Sequence, residues 1–163
     1  MTERTEVERL DDQLERAFEG ESWHGSPIFS ALSGISAGQA ASRPLRGTHS
    51  IWELVNHVAA WLSIVRCRAG GEAVYDIPDE MDWPPAGEAS ESAWEEALAD
   101  LGSEYGQLRA LVEQLSDADL ENRVEGKLRE YTVYQDLHGV IQHSLYHVGQ
   151  IALLAKAAVG DGD

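Results

Sequence analysis

Apolar residues recur every three and four positions in four long stretches of this chain, the spacing that lines one face of an α-helix. The first stripe runs through Val7, Leu10, Leu14, Ala17 and Phe18, with Thr5 and Glu8 at capping-box spacing in front of it and Gly20 as a stop. The second comprises Ile51, Leu54, Val55, Val58, Trp61, Leu62 and Val65, opened by Ser50-Ile51-Trp52-Glu53 and closed by Gly70-Gly71. In the third, Trp94, Leu98, Leu101, Tyr105, Leu108, Val112 and Leu115 keep a nearly heptad spacing behind Ser92-Ala93-Trp94-Glu95, which reads as another capping box. The fourth opens at Thr132-Val133-Tyr134-Gln135 and runs to about Ala158. Few segments read as strands, so the fold class is all-α.

The stretches between these helices exceed the roughly 2–8 residues that an up-and-down bundle needs, which points to long crossover connections. Residues 21–49 hold Trp23-His24-Gly25 and a short apolar turn from Ile28 to Leu32, and residues 71–91 hold the breaker cluster Asp82-Trp83-Pro84-Pro85. Both are expected to lie over a bundle end. Residues 116–131 begin with Ser116-Asp117-Ala118-Asp119, a cap for one short turn, and continue through a turn at Val124-Glu125-Gly126-Lys127. With no internal repeat or linker, the chain reads as a single domain over residues 1–159 followed by a flexible tail, 160–163.

Composition narrows the range of partners. At 163 residues the chain can bury a core without disulfides, and its formal charge of −17 would repel a phosphate backbone or an anionic membrane surface. Neither nucleic acid nor membrane is expected as a partner. The N-terminus lacks the basic and then apolar order of a signal peptide, and no apolar run approaches the ~20 residues that span a bilayer. A cytoplasmic location follows as the expectation, and the single cysteine, Cys67, fits a reducing compartment. Cys67 lies about 280° around an ideal helix from His57 and is not counted as a ligand.

The chemistry lies in the histidines. His143 and His147 are four residues apart in the fourth helix, about 40° from one another around its axis, in the sector of Asp136, Val140, Gln150 and Leu154. His57 shares its sector of the second helix with Leu54, Trp61, Ile64 and Val65. Two imidazoles on one helix face, with a third from a facing helix, make a three-ligand metal set with one coordination position open. A buried neutral imidazole needs partners at both nitrogens, and a metal plus an outer acceptor supplies them. His138, about 140° from His143, reads as a packing or surface residue. His49 either borders the site or merely precedes the Ser50 cap, the reading preferred here, and His24 is a loop residue of open status. Asp136 is either an outer acceptor for a ligand or a solvated carboxylate near a helix start.

The segments Gly47-Thr48-His49-Ser50-Ile51-Trp52-Glu53-Leu54-Val55-Asn56-His57-Val58-Ala59-Ala60-Trp61 and His143-Ser144-Leu145-Tyr146-His147-Val148-Gly149-Gln150-Ile151 resemble the DinB/YfiT-like family. The resemblance extends to the order of four helices, Trp83-Pro84 and Trp94. It implies a four-helix bundle with crossover connections and a divalent metal ion held by His57, His143 and His147; three imidazoles would accept Zn, Ni or Fe alike, and a homodimer is the expected assembly. Family members with assigned activities are metal-dependent transferases or isomerases that use a low-molecular-weight thiol such as mycothiol, bacillithiol or glutathione. The resemblance therefore implies such a thiol and a small electrophilic substrate as partners.

A divalent ion stabilises thiolate over thiol and would yield a nucleophile at neutral pH. With water as the ligand the same acidity would favour a hydrolase. The competing classes are a non-enzymatic, stress-related metal-binding protein and a structural protein with three satisfied core histidines. Arginine outnumbers lysine ten to two, the flavour of a GC-rich bacterial genome, which makes mycothiol the first thiol to try. Composition does not choose among Arg43, Arg46, Arg123 and Arg129 as contacts for an anionic group.

Overall fold

Thr5 starts the first helix as its sequence predicts. Its hydroxyl accepts from the Glu8 N–H at 3.2 Å while the Glu8 carboxylate accepts from the Thr5 N–H at 2.9 Å, and α1 (Glu6–Phe18) follows. The structure, a computed structural model, describes residues 4–125 and 130–159. The tail at 160–163, Gly126-Lys127 of the expected turn, and Arg129 lie outside the described residues.

Two short helices, α2 (Ile28–Leu32) and α3 (Ala37–Ala41), occupy the first crossover. The apolar turn at Ile28 is thus a full helical turn, and α3 is an element that the spacing of apolar residues does not announce. Helix α4 (Ile51–Ala69) carries the predicted capping box, with Ser50 Oγ accepting from Glu53 N–H at 3.2 Å and the Glu53 carboxylate from Ser50 N–H at 2.8 Å. It ends at Gly70, and Gly71 takes φ 92°, a left-handed conformation that glycine adopts without a Cβ clash. The one-turn helix α5 (Asp79–Asp82) follows in the second crossover.

Helix α6 (Glu91–Val112) differs from its predicted start. Its N-cap is Ser90, whose hydroxyl accepts from Ala93 N–H at 3.2 Å, so the box at Ser92–Glu95 lies inside the helix. Only Ser92 has the box spacing, to Glu95; Ser90, followed three residues on by Ala93, caps through its hydroxyl alone. Starting the helix two residues earlier leaves Trp94 fully inside, where its indole N–H donates to the Ile35 carbonyl at 2.8 Å and its ring packs 5.2 Å from Trp52.

The third connection contains a 3-10 turn at Asp119–Glu121 and a small antiparallel hairpin, β1 (Arg123–Glu125) with β2 (Glu130–Thr132), pairing Val124 with Tyr131. The hairpin corrects the expectation of a plain turn. Three-residue strands are too short to show alternation in a sequence. Helix α7 (Val133–Val159) then starts as predicted, with Thr132 and Gln135 exchanging hydrogen bonds of 3.1 and 3.2 Å.

The four long helices form a bundle in which α4 packs on both α6 and α7, and α1 closes the ring by packing on the same two. That arrangement explains the length of the first crossover: α1 and α4 follow one another in sequence but each packs chiefly on α6 and α7. Phe18, Phe29 and Tyr105 form an aromatic group in the core, with Phe18 and Tyr105 stacked at 4.6 Å. Burying such apolar faces is the main favourable term of the fold, at roughly 1.5–3 kcal/mol per large side chain. The α4–α7 seam, where the three inward-facing histidines meet, is part of the same core cluster.

Candidate metal centre

His57 on α4 faces His143 and His147 on α7, and the three imidazoles converge. His57 Nε2 lies 2.9 Å and His147 Nε2 3.0 Å from His143 Nε2, and the ligand atoms of all three fall within 4.8 Å of one another. His57 and His147 are buried, at 4% and 5% exposure. The spacing is close to what an ion needs, because imidazoles bound tetrahedrally at about 2.0–2.1 Å place their nitrogens roughly 3.3 Å apart.

The proton count argues for a cation at this point. His57 Nδ1 lies 2.5 Å from the Asp82 carbonyl oxygen, which can only accept, so Nδ1 bears the proton and Nε2 presents a lone pair. His147 Nδ1 lies 2.5 Å from Gln150 Oε1, with the same consequence for its Nε2. His143 Nε2 therefore faces two lone pairs with at most one proton to give, while its Nδ1 is buried without a hydrogen-bond partner among the described residues. Extra protons do not resolve the conflict. Burial, together with charge on His147 and His57, holds His143 down to about 3, and burial also lowers His57 and His147 below their ordinary 6.5. A divalent cation accepts all three lone pairs without adding a proton, so this donor set fits one.

The second crossover supports the centre. Trp61, one turn after His57, donates its indole N–H to Asp82 Oδ1 at 2.7 Å, and Asn56 donates to the Pro85 carbonyl at 2.9 Å. Both bonds hold the Asp82 carbonyl over His57. The Trp83 ring stacks at 3.7 Å on His57 and at 3.7 Å on His49. On the outer side, a cavity of about 420 Å³ is lined by His147 together with His49, Trp83 and Gln150.

The sequence profile of the DinB superfamily matches residues 7–151 of this chain, a span that contains all three histidines. The chain belongs to the DinB superfamily. A crystal structure of a conserved protein from Enterococcus faecalis has the same fold, with a TM-score of 0.71 at 16% sequence identity, covering 98% of this chain and 100% of that one. No functionally curated protein matches the sequence. Membership of the DinB superfamily and the three-histidine group are both compatible with metal binding.

The remaining candidates in this DinB-superfamily chain sort by position. His138 packs edge-on against Tyr134 at 4.6 Å, away from the centre. His24 is exposed and does not join the histidine group. His49 precedes the Ser50 cap and also borders the site, since its ring stacks on Trp83 and lines the cavity. Asp136 is not an outer acceptor for a ligand: it pairs with Arg68 Nη1 at 3.5 Å, and its Oδ2 has no hydrogen-bond partner among the described residues. Cys67 is outside the histidine group, and burial raises its thiol above the ordinary range. Among the arginines, Arg43 is tied to the Thr48 carbonyl at 2.9 Å and to Glu53, and Arg123 pairs with Glu130.

Sequence reading did not anticipate the Asp82 carbonyl, the Trp83 stacking or the role of Gln150. Gln150 had a local signal, since a residue three positions after His147 on a helix lies within reach of its imidazole. The other two come from a crossover whose path only the fold determines.

Proposed function

We propose that this protein is a metal-dependent transferase or isomerase acting on a low-molecular-weight thiol and a small electrophilic substrate. The observation that carries the reading is a three-imidazole group with no fourth histidine, thiolate or carboxylate in it among the described residues, one member of which lines a cavity. A purely structural site is usually closed by four ligands.

The chain's own groups have defined tasks. His57, His143 and His147 would hold a divalent ion, whose positive charge supplies thiolate stabilisation at neutral pH when bound. The Asp82 carbonyl and the Gln150 amide oxygen keep the Nδ1 protons of His57 and His147 in place, so that both Nε2 lone pairs point inward. Trp83 covers His57 on the crossover side. The cavity beside His147 gives a substrate room to approach. Mycothiol remains the first thiol to test.

Cobalt-substituted protein supplies the test. Adding a low-molecular-weight thiol should produce a sulfur-to-cobalt charge-transfer band and accelerate conjugation of that thiol to an electrophile. If no thiol perturbs the spectrum and ester or amide substrates are cleaved instead, the transferase reading fails in favour of a hydrolase.

A further inference from the structure

We propose that His49 is the general acid–base of the candidate site: it takes the proton of the incoming thiol and returns it to the group that leaves the electrophile. The inference rests on the transferase reading for the identity of the nucleophile, and on the geometry around His49 for the identity of the base.

Among the described residues, three titratable side chains line the cavity on the outer side of the centre: His49, Tyr146 and His147. His147 is committed to the histidine group, with Nε2 turned to His143 and Nδ1 held by Gln150. A phenol already carries its proton at neutral pH, so Tyr146 cannot begin the step as a base. Imidazole is the side chain that most often both accepts and returns a proton near neutrality. His49 stands outside the ligand group and is the remaining candidate.

Its surroundings orient it for that task. The Trp83 ring lies 3.7 Å from the His49 ring and 3.7 Å from the His57 ring, at 7° to each, so one indole positions the base relative to a candidate ligand. The Glu53 carboxylate lies 3.7 Å from His49 Nδ1 and is itself fixed by the Ser50 N–H and by Arg43. That distance exceeds a hydrogen bond, yet the negative charge favours an imidazolium and leaves Nε2 as the nitrogen for a substrate. The side chain is 48% exposed, so a molecule in the cavity can reach it. Other charges are close by. Arg43, Arg46 between the lining residues Leu45 and Gly47, and a cation on the three histidines disfavour protonation of His49; Glu53, and Asp82 at 3.4 Å from His57, oppose them. A proton taken up in that balance is readily given back.

The step balances without an oxidant or reductant. The S–H bond breaks and its proton passes to His49 Nε2, while the sulfur electron pair forms the new C–S bond. The bond from that carbon to the leaving group breaks, its electron pair stays with the leaving group, and the proton on His49 passes to it, which regenerates the base.

His49→Phe tests the assignment, because it keeps a ring to stack on Trp83 and removes both nitrogens. Metal content and the spectrum of the thiol-free cobalt form should match the parent protein. Calorimetric titration of the cobalt form with 2-mercaptoethanol, in buffers of different ionisation enthalpy, then counts the protons released per thiol bound. The parent should release well under one, since His49 keeps the proton, and His49→Phe close to one. The rate of conjugation to an electrophile at pH 7 should fall by about 100-fold in His49→Phe, and by less in Glu53→Gln, which keeps the capping box. Equal proton release and equal rates in parent and His49→Phe would overturn the inference and leave the transferase reading standing, as would a comparable loss of rate confined to Tyr146→Phe. If thiols leave the cobalt spectrum unchanged and esters are cleaved instead, the transferase reading fails, and the same pair of proteins decides the role of His49 towards water: a roughly 100-fold slower cleavage in His49→Phe sustains it, and an unaltered rate overturns it.

Discussion

Trp61 and Asp82 are joined by a 2.7 Å hydrogen bond from the indole N–H to the carboxylate, and the backbone carbonyl of the same Asp82 receives the Nδ1 proton of His57. A tryptophan one turn along α4 thus sets the orientation of a candidate ligand on its own helix, through a residue of the second crossover. Partners of this kind typically contribute 10–100-fold to metal affinity.

Trp61→Phe keeps most of the apolar ring and removes the donor. Metal affinity should fall by about tenfold with the stoichiometry unchanged, measured by competition with a chromophoric chelator. An affinity equal to that of the parent protein would show that the Asp82 carbonyl holds its place without the indole.

Replacing His57, His143 or His147 singly with Ala should sharply lower metal occupancy in elemental analysis of untagged protein, because two imidazoles remain where three converge. His138→Ala should leave occupancy intact, since its ring lies against Tyr134. Unchanged stoichiometry in His147→Ala would refute the ligand assignment.

The pH dependence has a definite sign. All three imidazoles titrate below 6.5 in the fold, His143 at about 3, so the unfolded chain takes up more protons as pH falls below 6.5. Stability should therefore be free of this penalty above 6.5 and decline from there towards about 3, with or without metal. The stability difference between metal-loaded and metal-free protein follows the folded values instead, because protons compete with the ion only once the folded imidazoles accept them. That difference should persist well below pH 6.5 and close only as the depressed range is reached, which thermal melts of both forms across pH 8 to 4 would follow. A difference that closed already at pH 6.5 would contradict the burial of these groups.

Arg68 and Asp136 form a buried ion pair, with side chains exposed by 7% and 10%, and Arg68 also donates to the Val74 carbonyl at 2.7 Å. Arg68→Ala would leave the Asp136 charge buried without its partner, and should cost about 3–5 kcal/mol in urea unfolding. The double substitution Arg68→Met with Asp136→Leu should lie much closer to the parent protein, since neither charge is then buried.

The sequence by itself determined the four long helices and the inward direction of the three histidines, because the signals involved are local. A capping box spans four residues, so Thr5–Glu8, Ser50–Glu53 and Thr132–Gln135 were legible, and His143 and His147 share a face through helical geometry alone. The inward direction of His57 followed from its apolar neighbours. The same local rule misplaced the start of α6: only Ser92 has a glutamate three residues on, yet the cap is Ser90, which is followed at that distance by Ala93, and the packing of Trp94 accompanies the earlier cap. Tertiary structure alone decided what surrounds the histidines. Asp82 reaches His57 across 25 residues of chain and uses its carbonyl, a group every residue carries, so no residue type could have marked it. Asp136 read in sequence as either an outer acceptor for a ligand or a solvated carboxylate, and the approach of α4 to α7 instead buried it against Arg68. Helical periodicity fixes which way a side chain points along its own helix, whereas its partner depends on where the long crossovers bring the rest of the chain.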